Sequence, residues 1–256
     1  MELKGIDLVV PISDDDAVLV ARAKQLFPDS NALIVSPLES FSIARSRNST
    51  TELCHSINID TPKTIFVTQA NARAAASDLG YPCFLKLSGT IGSQGVFEIA
   101  SEAELDAKLE LACDKEMQLQ AKVESDLVDI TGFASAGKIL ESFAFRCDYI
   151  HSRGGTPAYS ERVKDERLNA ILSKVAEELR WTGGIDLDLL QRSDGSLVLL
   201  EINPRFSGTI IFALKIGIDL PMYYVNAKMG VSGAAEFRPS RKEAERFVSL
   251  LERLLI

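Results

Sequence analysis

Residues 188–205 read DLLQRSDGSLVLLEINPR. Two apolar runs, Ile185 to Leu190 and Leu197 to Ile202, flank Ser193-Asp194-Gly195-Ser196, so the stretch reads as a β-hairpin with a tight polar turn. Residues two apart on a strand share a side, so Glu201 and Asn203 project together, and the turn brings Asp188 alongside them. Hard oxygen donors converging in this way suit Mg2+ (or Mn2+), which takes a few protein oxygens and fills its shell with phosphate oxygens and water. A solvated hairpin face accounts for Asp188 and Asn203. It does not account for Glu201 enclosed by Leu197, Val198, Leu199, Leu200 and Ile202, where an unpaired carboxylate is costly. Arg205, two residues on, offers a planar fork of donors to a phosphoryl group.

Upstream, Lys86 sits inside the apolar strand Cys83 to Leu87 and directly before the glycine-rich stretch SGTIGSQG, residues 88–95. An ammonium among buried positions needs an anion. Gly89, Gly92 and Gly95, with Ser93, permit tight turns and the close backbone approach by which amides cradle phosphates. The loop joins two strands, so it matches neither the phosphate-binding loop that opens a helix nor the dinucleotide fingerprint.

Around these features the chain alternates strands and helices. Ile6 to Ile12 and Asn31 to Ser36 are expected strands around a helix that Ser13 caps and that runs to Phe27; Asp14, Asp15 and Asp16 serve the positive end of its dipole. One helix is expected from Ser42 to Ile57, then strands at Thr64 to Thr68, Val96 to Ala100, Met117 to Val123, Leu127 to Phe133 and Ile139 to Arg146. Residues 150–160 are expected as a loop, Asp165 to Leu179 as an amphipathic helix, and Ser240 onward as a last helix with Phe247, Leu250, Leu251, Leu254 and Leu255 on one face.

Composition is that of a water-soluble globular protein: 256 residues, 46% hydrophobic, 25% charged, formal net charge −8. That charge argues against a nucleic-acid or anionic-membrane partner, and no run nears the roughly 20 apolar residues of a bilayer span. Cys54, Cys83, Cys113 and Cys147 lack the spacing of a zinc site or a disulfide scaffold, and with only His55 and His151 a histidine metal centre or a Ser–His mechanism has little to work with. Met1 to Gly5 shows no charged-then-apolar leader, so the expected setting is cytoplasmic with reduced thiols.

The order Lys86, glycine-rich loop, Gln120-Ala121-Lys122-Val123, Asp188, Glu201-Ile202-Asn203-Pro204-Arg205 resembles the ATP-grasp superfamily, above all its carboxylate–amine ligases and the synthetase domains of carbamoyl phosphate synthetase. Residues 7–13, 53–64, 206–209 and 217–221 extend the likeness across about residues 6 to 230. The resemblance implies an α/β (α+β) fold of two lobes gripping ATP. It implies a partial leading α/β segment over residues 1–45, an N-terminal lobe with a flap over 46–123, and a C-terminal lobe with the magnesium site over 124–256. By the same resemblance Lys86 holds α- and β-phosphates, while Ser93 and the amides near Gly92 and Gly95 cover the β- and γ-phosphates. Gln120, Ala121, Lys122 and Val123 form the hinge beside adenine, and Asp126 or Asp129 serves the ribose. Asp188, Glu201 and Asn203 carry the metal, with Glu201 bridging, and Arg205 steadies the transferring phosphoryl group. Arg47 stands where the family places a lysine before the Thr61-Pro62 turn.

The activity so implied is ATP-dependent joining of a carboxylate to an amine or ammonia through an acyl phosphate, with Arg146, Arg153 or Arg162 as anchors for the substrate carboxylate. The alternatives are a non-catalytic ATP-binding subunit or regulator, and a phosphotransferase on the same fold. A homodimer, or a partner that completes the short leading segment, is the expected assembly.

Overall fold

The computed structural model describes residues 6–88, 95–112, 115–150, 157–231 and 246–248. Ser13 caps the helix α1, Asp14–Leu26, through a reciprocal box with Asp16. Val9 and Leu33, the centres of the two expected leading strands, meet in a single parallel bridge. The helix expected over residues 42–57 is two, α2 at Leu38–Arg45 and α3 at Arg47–Ser56. They divide at Ser46, which is extended (φ −94°, ψ 115°) and caps α3 by accepting from the Ser49 amide. Its hydroxyl gives the backbone an alternative to continuing the helix.

The smaller sheet is antiparallel, ordered β1 (Thr64–Val67), β4 (Met117–Ala121), β2 (Cys83–Leu87), β3 (Val96–Ile99). Leu85, Leu87, Met117, Leu119 and Val67 point to one face and bury against α4 (Ala72–Leu79) and α5 (Glu102–Leu109). The alternate residues, Lys86, Gln118 and Gln120, turn to the other face.

The larger antiparallel sheet runs β10 (Arg246–Val248), β7 (Pro157–Val163), β6 (Lys138–Ile150), β5 (Ser125–Ser135), β8 (Gly183–Arg192), β9 (Leu197–Asn203). Val128, Ile130, Leu187, Leu189, Leu199 and Ile202 form its back face. Against them pack α2, α3 and α6 (Glu166–Glu178), around Phe41 and Trp181, whose rings meet edge to face at 5.0 Å. Leu53 and Cys54 of α3 belong to this core. On the front face lie α7 (Ile210–Lys215) and α8 (Met222–Met229), with Phe212, Tyr223 and Tyr224 against Phe133, Phe143 and Phe145.

Two sequence expectations are corrected here. Residues 157–160 are strand rather than loop, because β6 offers a complete antiparallel partner and proline is tolerated as a strand's first residue. Arg246–Val248 is a strand where a helix was expected, since pairing with the free edge of β7 satisfies its backbone. The other helix positions named there, Leu250 to Leu255, lie outside the described residues, as do Cys113, His151 and Arg153. Cys54, Cys83 and Cys147 are buried free thiols. Among the described residues no helix is long and apolar enough to cross a membrane.

Candidate active site

The front of the large sheet carries two adjacent cross-strand rows. In one, Arg162, Phe145, Asp129, Asp188 and Glu201 are successive partners from β7 to β9; in the next stand Thr131, Asp186 and Asn203. A β-bulge creates the first row. Leu189 pairs with Leu199 but Asp188 pairs with Glu201, so Leu200 has no opposite residue. In unbroken register Leu200 would face Asp188, and Glu201 would fall opposite Leu187 on the packed back face. The bulge therefore brings a carboxylate out of an apolar run onto the front, where Glu201 is only half-buried.

The rows place unusual charge in little water. Asp129, Asp186 and Asn203 are buried. Burial pushes the Asp188 carboxyl up to about 7, and its neighbour Glu201 adds to the rise. Burial and mutual repulsion also hold Asp129 and Asp186 well above the ordinary carboxylate range. The Asn203 Nδ2 donates to Asp188 Oδ1 at 3.1 Å and to Asp186 Oδ2 at 3.2 Å, which leaves the carboxamide oxygen as its free end. Oδ1 of Asp129 and Oδ1 of Asp186 are buried without a hydrogen-bond partner. Such oxygens are costly unless a cation or donor meets them. The donor set is all hard oxygen, which fits Mg2+. Among the described residues no group of three or more His, Cys, Asp or Glu side chains is placed to hold a metal ion by itself.

Cations face the rows from three directions. Lys86 of β2 is buried, and burial lowers its ammonium to about 8 against the attraction of Glu201 and Asp188. Arg47, first residue of α3, donates to the Leu87 carbonyl and lies 3.7 Å from Glu201 Oε1, linking the end of β2 to the far row. Arg205 follows β9; its Nε is 3.2 Å from Asp14 Oδ1, its Nη1 is 3.9 Å from Asp186 Oδ2, and Nη1 donates to the Phe206 carbonyl at 2.9 Å. The sheets are joined through residues 122–124, between Ala121 of β4 and Ser125 of β5. Beside that connection Gln120 is buried, with its Nε2 donating to Thr64 Oγ1 at 3.1 Å, and Lys122 pairs with Glu98 at 2.8 Å. Lys86 and Arg47 thus lie within electrostatic reach of the carboxylate rows where the two sheets meet, an arrangement of charge suited to a metal-bound polyphosphate.

The fold and part of the sequence match known proteins. The family profile "ATP-grasp in the biosynthetic pathway with Ter operon" matches residues 151–248. In structure, biotin carboxylase from Campylobacter jejuni matches with a TM-score of 0.73 at 14% identity, covering 90% of this chain and 56% of that one. The ADP complex of N5-carboxyaminoimidazole ribonucleotide synthetase matches at 0.71 and 18% identity, covering 84% and 59%.

The chain has the ATP-grasp fold.

Its sequence is 26% identical over 191 residues to the arginine-specific large chain of mitochondrial carbamoyl phosphate synthase of Neurospora crassa, covering 68% of this chain and 16% of that one. It is 29% identical over 143 residues to D-alanine–D-alanine ligase of Thermoanaerobacter sp., covering 49% and 39%. The chain thus spans well under half the length of these relatives.

At this junction the structure brings together Arg47, Lys86, Asp129, Asp188, Glu201, Asn203 and Arg205. Asp129 stands in the carboxylate row beside Asp188, whereas Asp126, three residues earlier on β5, is exposed on the opposite face. Arg162 shares the front row through Phe145. Arg146 is paired with Glu161 at 2.8 Å on the other face. Gly92 and Ser93 lie outside the described residues; Gly95 closes the β2–β3 loop with φ +72°, its carbonyl accepting from the Leu87 amide. Two site residues escaped the sequence reading. Asp186 is two residues before Asp188 on one strand, and that alternation was the available signal. Asp14 was read as a helix-dipole acid; no local signal connects it to Arg205, 191 positions away.

Proposed function

We propose that the chain binds MgATP between its two sheets and uses it to activate a small-molecule carboxylate, which ammonia or an amine then captures, releasing ADP and phosphate. The observation that carries this reading is the buried acidic pair of rows, with partnerless Asp129 and Asp186 oxygens, set opposite Lys86 and Arg205. The relatives and neighbours named above, including two ligases or synthetases and a biotin carboxylase, are consistent with it.

In this reading Lys86 and Arg47 hold the phosphate chain from the small-lobe side. Backbone groups of Gln120, Ala121, Lys122 and Val123 receive the base, and Gly92, Ser93 and Gly95 belong to the flap over the terminal phosphates. Asp188, Glu201 and Asn203 hold Mg2+ (or Mn2+), with Asp186 and Asp129 behind them. When bound, the metal supplies charge neutralisation at the β,γ-phosphates. Arg205, its Nε and Nη1 directed to Asp14, Asp186 and the Phe206 carbonyl, turns the rest of its guanidinium to the γ-phosphoryl group as the substrate carboxylate oxygen attacks phosphorus and the β–γ bridge bond breaks. The amine then attacks the acyl carbon, and phosphate departs. No side-chain nucleophile is needed. Arg162, at the end of the front row, is the anchor we assign to the substrate carboxylate.

Calorimetry of ADP binding with and without magnesium tests the nucleotide site; metal-independent or absent binding overturns it. ADP release over a panel of carboxylates and amines, with hydroxylamine added, tests the chemistry. A hydroxamate supports the acyl phosphate, and substrate-dependent ADP release that never yields one points to a phosphotransferase.

A further inference from the structure

Gln118 stands beside Lys86 in the small sheet, its register partner across β4 and β2. Neighbours on either side along β4, Met117 and Leu119, are buried in the apolar core against α4 and α5, so Gln118 projects from the opposite face, the one Lys86 uses. It is 97% buried, being 3% exposed. Its Oε1 finds no hydrogen-bond partner. The contrast with Gln120, two residues on and on the same face, is direct: that carboxamide is anchored on Thr64 Oγ1. A buried carboxamide left open costs stability, and an apolar residue of its size would avoid the cost. Cross-strand partners have Cβ atoms about 5 Å apart, so whatever meets the Lys86 ammonium also lies within reach of Gln118.

We propose that Gln118 is a further nucleotide-contacting residue, its carboxamide completing its hydrogen bonds on the nucleotide that Lys86 holds. The inference rests on the MgATP reading above. The chemistry that satisfies it is a nucleoside polyphosphate at the sugar–phosphate junction: Gln118 lies one cross-strand row further from the hinge than Gln120, and such a ligand offers hydroxyl donors and phosphate acceptors together. A carboxamide can serve either, because it both donates and accepts.

The test compares the whole protein with Gln118→Leu, by calorimetry with MgADP and by thermal unfolding without ligand. Expected is a loss of MgADP affinity of about tenfold, as for one good hydrogen bond, with the unfolding temperature of the free protein unchanged or raised. Should leucine's branch not be accommodated, Gln118→Met makes the same comparison with an unbranched chain. Unchanged affinity, or a lowered melting temperature with unchanged affinity, overturns the inference and leaves the MgATP reading standing. Failure of the unaltered protein to bind MgADP overturns both.

Discussion

Asp14 Oδ1 lies 3.2 Å from Arg205 Nε, so the first turn of α1 is tied to the residue that leaves the β8–β9 hairpin. Both side chains are under a third exposed. The pair fixes Arg205 from behind while Asp186 and the Phe206 carbonyl hold it from the side. Replacing Asp14 with asparagine keeps the volume and removes the charge. We expect the melting temperature to fall by about 2 °C at low ionic strength and by less at high salt, since a partly exposed ion pair contributes about 0.2–1 kcal/mol and is screened. Thermal unfolding at two salt concentrations checks this; an effect that does not shrink with salt would assign it to packing.

The three aspartates of the front rows make stability pH-dependent. Their folded carboxyls titrate above the ordinary value near 3.8, Asp188 at about 7, so between these values the folded chain holds protons that the unfolded chain has released. The Asp188 contribution is complete below pH 4 and is lost as pH rises through about 7, and the raised Asp129 and Asp186 carboxyls act in the same direction. Magnesium with ADP should therefore raise the melting temperature more at pH 8 than at pH 5.5, by roughly 5–10 °C at 100 times Kd. Asp186→Asn should raise the melting temperature of the ligand-free protein at pH 8 and reduce the magnesium increment. A lower melting temperature for that variant would contradict the account.

Lys86 gives binding a second pH dependence, of defined sign. Its ammonium, lowered to about 8 mainly by burial, is largely neutral at pH 8.5 in the free protein. A polyphosphate favours the charged form, so binding at that pH should take up protons and affinity should decline as pH rises above 8. Calorimetry in two buffers of different ionisation enthalpy reads the uptake directly. Lys86→Met should abolish most of it and weaken MgADP about 10- to 100-fold, the range of a charge-assisted contact. Equal heats in both buffers for the unaltered protein would refute the assignment.

Tyr224 holds the start of β8 in place. Its hydroxyl accepts from the Gly184 amide at 2.9 Å in a buried setting, and Gly183 has φ +110° with no room for a Cβ beside that hydroxyl. Tyr224→Phe leaves the amide without a partner and should cost about 1–3 kcal/mol in urea unfolding. Gly183→Ala should cost at least as much, because the conformation and the space both oppose it. A variant within 0.5 kcal/mol of the parent, roughly the surface-substitution range, would show that this corner relaxes.

Much of the architecture was legible from local chemistry. Ser13 and Asp16 announce α1, the Ser193–Ser196 turn sets the hairpin, and Lys86 within Cys83–Leu87 stands out because a buried ammonium needs a reason. These signals work because capping, turn formation and burial cost depend on a few adjacent residues. Ser46 dividing α2 from α3, and β7 emerging from residues expected as a loop, were not legible, since the first was decided by a single side-chain bond and the second by the backbone pairing that β6 offers.

The hairpin that decides the fold also marks this boundary. Sequence alone determined that Asp188, Glu201 and Asn203 lie on paired strands and that Glu201 needs a counter-charge, because alternation and the cost of a buried carboxylate are local. Which face Glu201 occupies was decided by the bulge at Leu200, and its neighbours by the β5–β8 register that adds Asp129 and Asp186. Only long-range packing sets register, since a one-residue slip exchanges the two faces of a strand.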